Sequence, residues 1–149
     1  LGDVYKRQAD NCVLLLWATF PKLPEALRLI EAWGFQYKTV GFVWVKTNPS
    51  GNGFFLGLGW WTRSNAEICL LAVRGKPKRQ CAGISQLIIS PRERHSKKPD
   101  VVRNLAVTLV GDVPRIELFA RETSTGWDVW GNEVDCSITL TQSEGDVHE

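Results

Sequence analysis

At 149 residues, 44% hydrophobic and 23% charged, the chain suits one domain burying roughly two thirds of the surface that its unfolded form exposes. These proportions exclude a disordered or fibrous protein. The longest apolar run, Cys12 to Ala18, is far short of the ~18 residues that mark a membrane span, so a cytoplasmic setting without a membrane partner is expected. The net charge of +2 hides an asymmetry, because Arg74, Lys76, Lys78, Arg79, Arg92, Arg94, Lys97 and Lys98 face only Glu93 within one window, leaving −5 for the remainder. Such a basic window suits a polyanion whose counterions it would displace, or else two solvated loops.

The chain contains no methionine, and the polar stretch Leu1 to Gln8 has neither helical nor strand periodicity. Residues 1–8 are therefore expected to be a non-native leader on a truncated chain, with native sequence starting near Ala9. Val13 to Ala18 is a continuous apolar run of the kind that forms a strand covered on both faces. Pro21 and Pro24 then open a helix in which Leu23, Leu27 and Ile30, and Ala26, Leu29 and Trp33, recur at helical spacing, with Gly34 as its stop. Phe35 to Lys46, rich in aromatic and β-branched residues, reads as a second strand.

Thr47 to Gly59 is a loop, with Pro49 and glycines at 51, 53, 57 and 59. Glu67 to Val73 is a third strand, and a short strand, Leu87 to Ile89, follows the basic loop. Pro99 opens a second helix whose stripe is Val102, Leu105, Ala106 and Leu109, ended by Gly111, and Arg115 to Phe119 is the next strand. Strands alternating with amphipathic helices predict an α/β fold with a mostly parallel sheet and helices on its faces. Ligands of such sheets sit at the carboxyl ends of the strands. That rule would put Arg121, Lys46 and the loop after Val73 on one rim, with the turn Gly131-Asn132-Glu133 folded back near it.

The four cysteines, Cys12, Cys69, Cys81 and Cys136, include no Cys-x-x-Cys pair, and the chain has two histidines. Buried, reduced thiols are expected, and no metal site.

Trp33-Gly34-Phe35, Val43-Trp44-Val45-Lys46-Thr47-Asn48, Gly59-Trp60-Trp61, Glu67-Ile68-Cys69-Leu70, His95-Ser96-Lys97-Lys98-Pro99-Asp100, Glu117-Leu118-Phe119-Ala120-Arg121 and Gly131-Asn132-Glu133 occur in one order. In that order and rough spacing they resemble the MT-A type (seventy-kilodalton subunit) N(6)-adenine methyltransferases, which include the messenger-RNA methyltransferase and many phage and bacterial DNA adenine methyltransferases. The resemblance covers Asn11 to Asp135. It implies a methyltransferase domain over residues 9–136, followed by an acidic tail at 137–149. It also implies a Rossmann-like sheet binding S-adenosylmethionine, with its motifs in permuted order and incomplete at the N-terminus.

By the same resemblance, Lys98 would face the methionine carboxylate of the cofactor. Glu117, Leu118 and Phe119 would line its pocket, Arg121 and Asn132 would bond the ribose, and Glu133 would sit near the nucleoside. Lys46, Trp60, Trp61 and Arg63 would meet the substrate. Elementary chemistry agrees. A lysine beside a helix-opening proline adds to the positive end of the helix dipole, and a guanidinium with a side-chain amide suits vicinal hydroxyls. Trp60 and Trp61 could flank an extruded base, whereas Trp44, Trp127 and Trp130 suit packing, and His95 belongs to a loop.

The family's catalytic Asp-Pro-Pro-aromatic tetrapeptide, which precedes the segment matching Asn11, does not occur in this chain. No catalytic residue is therefore assigned within it, and the fragment alone is expected to be inactive. The resemblance implies N(6)-adenine methyl transfer to nucleic acid, DNA rather than RNA, by a protein able to form a homo- or heterodimer. A non-catalytic nucleic-acid-binding partner subunit of the same fold is the alternative.

Overall fold

The computed structural model describes residues 9–140, so the leader at 1–8 and the tail from 141 onward lie outside the described residues. The described residues divide into two compact units, one holding residues 10–111 and the other residues 112–140 with residue 9.

The larger unit begins with strand β1, Cys12–Ala18, and a 3₁₀ turn, Phe20–Lys22, that leads into helix α1, Leu23–Ala32. Proline stands in the first turn of both helical pieces, where its missing N–H costs nothing. The amides of Gly34 and Phe35 bond back to Glu31 and Ile30, and Gly34 takes the left-handed φ of 79° that this helix end requires. Of the two apolar trios, Ala26 and Trp33 from one are buried together with Ile30 from the other, whereas Leu29 is half-buried and Leu27 is exposed. The arc facing the sheet is thus turned slightly from the one centred on Leu27.

Strand β2, Gln36–Thr47, and strand β3, Ala66–Arg74, follow, then β4, Leu87–Pro91, a 3₁₀ turn at Arg94–Ser96 and helix α2, Val101–Val110. The sheet order is β1-β3-β2-β4. β3 runs antiparallel to both of its neighbours, and only β2 and β4 are parallel. The mostly parallel sheet read from the sequence is therefore corrected to a mixed one. The reason lies in the connections, because β2 reaches β3 through a loop with no helix in it, and a chain that turns back without a crossover pairs antiparallel. α1 does connect two strands of the same direction, β1 and β2, but β3 is inserted between them.

The core lies beneath α2. Phe42, Trp44, Cys69, Ile88 and Val102 form one buried cluster, against which Leu15, Trp17, Ile84 and Leu105 pack. Alternation along each strand delivers these residues to one face. Gly111 ends α2 with φ 90°. Of the thiols, Cys69 is buried, Cys12 and Cys81 are half-buried and Cys136 is exposed, so burial holds for one of the four.

The smaller unit pairs β5, Ile116–Leu118, in parallel with β6, Asp128–Trp130. β6 is absent from the sequence reading, since three residues are too few to show a period. Trp127 and Trp130 pack as read, the first under the Arg115 guanidinium at 5.6 Å and the second edge-on to Phe119 at 5.4 Å.

Candidate cofactor and nucleic-acid site

Because β1, β2 and β4 share one direction and β3 opposes them, the rim holding Ala18, Lys46 and Pro91 also holds the start of β3. There stands Glu67, the one buried charged residue among the described residues, 7% exposed. Lys46 Nζ donates to its Oε1 at 2.8 Å, and Lys98 Nζ, three residues before α2, donates to its Oε2 at 2.5 Å. Both ammonium groups also lie over indole faces, Lys46 over Trp44 at 5.0 Å and Lys98 over Trp17 at 5.7 Å. Burial pushes the Glu67 carboxyl up, but the two lysine hydrogen bonds and their charges outweigh it and hold its pKa below the ordinary value.

Lys46 and Lys98, read from the sequence as a substrate contact and a cofactor contact, are thus gathered on one carboxylate. Sequence reasoning passed over Glu67 as the edge of a strand. The signal was nevertheless there, since a lone glutamate heading the apolar run Ile68 to Val73 must find a cation if it is buried.

The basic window does not form one patch. Arg74 pairs with Cys12 at the far end of the sheet, and the Lys76 backbone N–H donates to Asn11 Oδ1 there. Arg92, Arg94, Lys97 and Lys98 follow β4 on the Lys46 rim. The expected place of the loop after Val73 beside Lys46 is therefore overturned, because the antiparallel direction of β3 carries that loop to the opposite end.

Trp60 and Trp61 stand in the β2–β3 loop with full exposure, 102% and 100%, among the exposed Phe54, Leu56, Leu58 and Arg63. Arg92 stacks on the Phe55 ring of the same loop at 4.6 Å. Trp44 belongs to the core, its Nε1 donating to the Ser90 carbonyl at 3.1 Å.

In the smaller unit, β5 brings Glu117 and Leu118 to half-buried positions and then turns at Phe119, whose φ of 59° is unusual for a residue with a side chain. The Ala120 amide bonds to the Trp130 carbonyl at 3.0 Å, so the chain leaving β5 lies against the chain leaving β6. Gly131 makes that approach possible, since a Cβ there would strike the Ala120 backbone. As read from the sequence, the turn at Asn132-Glu133 folds back on Arg121, with Nε to Glu133 Oε2 at 4.0 Å.

Each unit offers donors of its own. In the smaller unit, Arg121 after β5 and Asn132 and Glu133 after β6 present a guanidinium, an amide and a carboxylate from two adjoining exposed segments, a set that suits paired hydroxyls. Lys98 keeps two further donors beyond the one given to Glu67, and its side chain is 30% exposed.

The MT-A70 family model matches residues 3–133. The Type II methyltransferase M.MunI of a Mycoplasma species is 36% identical over 151 aligned positions, which cover 99% of this chain and 61% of that protein. The human N(6)-adenosine-methyltransferase catalytic subunit METTL3 is 28% identical over 130 positions, 85% of this chain and 22% of its own length. An N(6)-adenosine-methyltransferase MT-A70-like protein of Arabidopsis thaliana is 26% identical over 136 positions, 89% and 20% respectively. The chain thus spans about three fifths of the first of these relatives and about a fifth of the other two. With a family match running through both the Lys46–Glu67–Lys98 cluster and the Arg121–Glu133 turn, the chain belongs to the MT-A70 family.

Proposed function

We propose that this chain is the cofactor- and substrate-holding part of an enzyme that moves a methyl group from S-adenosylmethionine to the exocyclic amine of adenine in nucleic acid. Its fold would be the Rossmann-like methyltransferase sheet in permuted order. The observation that carries the reading is the likeness to a bacterial Type II methyltransferase over 99% of the chain. DNA is favoured over RNA because that likeness, 36%, exceeds the 28% and 26% to the two N(6)-adenosine enzymes.

Lys98 would take the cofactor carboxylate, and Arg121 with Asn132 would take its ribose hydroxyls. Glu117, Leu118 and Phe119 would line the pocket, with Glu133 beside the nucleoside. When bound, the cofactor supplies the methyl group to be transferred. Lys46 and Arg63 would meet phosphate, and Trp60 and Trp61 would hold a base drawn out of its stack. None of these groups serves as a general base, and their contribution is positioning, which alone can supply several kcal/mol of a barrier.

The test is methyl transfer from tritiated S-adenosylmethionine to duplex DNA and to RNA by protein made from the whole reading frame that contains this chain. Label recovered as N(6)-methyladenine, more from DNA, is the expected result. Absence of both cofactor binding and transfer would overturn it. The second reading is a non-catalytic nucleic-acid-binding partner subunit of the same fold. Nucleic-acid binding without cofactor binding would select that reading.

A further inference from the structure

Glu67 has no role in the readings above, yet it is the most constrained ionised group described. Its side chain is 10% exposed, and its two oxygens are each taken by a different ammonium group, Lys46 from β2 and Lys98 from the segment before α2. Two lysines that close would repel each other and swing outward, since each is a flexible four-carbon stem with a strongly hydrated end. A carboxylate between them removes the repulsion and leaves the trio with a net charge of one proton. Trp17 and Trp44 add walls, with one cation over each ring at 5.7 and 5.0 Å. Each ammonium has three donors, so bonding to Glu67 spends one and leaves two that can be aimed.

We propose that Glu67 is a positioning residue, fixing Lys98 so that its remaining donors meet the carboxylate of the cofactor's amino-acid tail. Lys46 acts as a counterweight, and its place on the second oxygen stops the carboxylate from turning away. This inference rests on the proposed binding of S-adenosylmethionine.

The experiment is a double-mutant cycle on S-adenosylmethionine affinity, read by calorimetry on the whole protein. Lys98→Gln is expected to raise Kd by about ten-fold or more, the worth of one charge-assisted hydrogen bond. If Glu67 acts through Lys98, Glu67→Gln raises Kd by a similar factor, and the double variant binds no worse than either single one. Full additivity, or an unchanged Kd in folded Glu67→Gln, overturns the proposal. Loss of the buried acid leaves two facing lysines, a repulsion that can unfold Glu67→Gln. In that event Glu67→Gln with Lys46→Met serves, because it removes a charge pair rather than half of one. It is expected to bind as weakly as Lys98→Gln, and wild-type affinity in it overturns the proposal. Failure of the wild-type protein to bind the cofactor would instead sink the cofactor reading itself, as would an unchanged Kd in Lys98→Gln for the role given to that lysine.

Discussion

Trp17 and Trp44 meet edge to face at 6.2 Å although their strands, β1 and β2, are separated by β3. The contact closes over the buried Cys69, which pairs with Trp17 across the sheet, so the rings roof the middle strand and form the floor below the two lysines. Trp44 carries more of this than Trp17, being 1% exposed and bonded to the Ser90 carbonyl. Trp44→Ala is expected to cost about 3–5 kcal/mol of stability, and Trp44→Phe about 1–2, chiefly for the orphaned carbonyl and lost volume. Urea midpoints with an unchanged slope would show it, and a loss below 1 kcal/mol for Trp44→Ala would contradict the packing described.

The depressed pKa of Glu67 makes the stability of the larger unit dependent on pH. A group whose folded pKa lies below its unfolded one stabilises the fold above the unfolded value, and that contribution fades as pH falls through the folded pKa. Asp100 acts with the same sign, because Lys97 and Arg103 hold it down against the opposing effect of burial. Unfolding free energy should therefore decline as pH drops below about 4–5, near the ordinary carboxylate range. Glu67→Gln should flatten part of that decline and leave the Asp100 part. An identical acid limb in the variant would show that Glu67 is not ionised and paired in the fold.

Burial pushes the Cys69 thiol up to about 12, with Lys98 only partly offsetting it. At pH 8 it is a neutral thiol with no solvent path, whereas Cys136 is exposed. Maleimide labelling of native protein followed by peptide mass analysis should mark Cys136 first and spare Cys69 until denaturant is added. Early modification of Cys69 would mean that the α2 side of the sheet opens readily.

These features were unequally legible in the sequence. The strands over Cys12–Ala18 and Gln36–Thr47 and both helices announce themselves through apolar runs, prolines near their starts and glycines at their ends, which are local signals. Strand direction is not local. Nothing within Ala66–Arg74 says that it inserts between β1 and β2, and reading it as one more parallel strand moved the basic loop to the wrong rim. Glu67 illustrates the same limit at the site, because its partners lie 21 and 31 residues away and only the fold brings them to it. The turn from Gly131 to Glu133 was legible because its chemistry is local: a glycine, an amide and an acid in succession.

Gly131 carries that turn. An added methyl would meet both the carbonyl oxygen and the amide nitrogen of Ala120, backbone atoms that cannot step aside as a side chain end can. Gly131→Ala should cost about 2 kcal/mol through the forced shift, and separate the Arg121 and Asn132 donors from their present arrangement. Cofactor affinity, measured by calorimetry, is expected to fall with it. By contrast Gly51→Ala, with open space around its Cβ, should leave affinity unchanged despite its φ of 78°. Equal behaviour of the two variants would remove the turn from the cofactor site.

Trp60 and Trp61 contribute nothing to the folded core of the unit, since both rings are fully exposed. Replacing both by alanine is therefore expected to change stability by no more than about 0.5 kcal/mol, the range of ordinary surface substitutions. If they hold a base outside its stack, the same change should weaken binding of a fluorescent adenine-containing duplex by about ten-fold or more, because stacking on an aromatic face is worth roughly 1–3 kcal/mol per base. The loss should be at least as large in a duplex where the target adenine faces an abasic gap, since that base leaves its stack at lower cost and so occupies the aromatic site more fully. Anisotropy titrations at several salt concentrations separate this from a change in phosphate contacts, which would instead alter the slope of affinity against salt. An unchanged duplex affinity in the folded double variant would take the two tryptophans out of the substrate site and leave Lys46 and Arg63 as its assigned contacts.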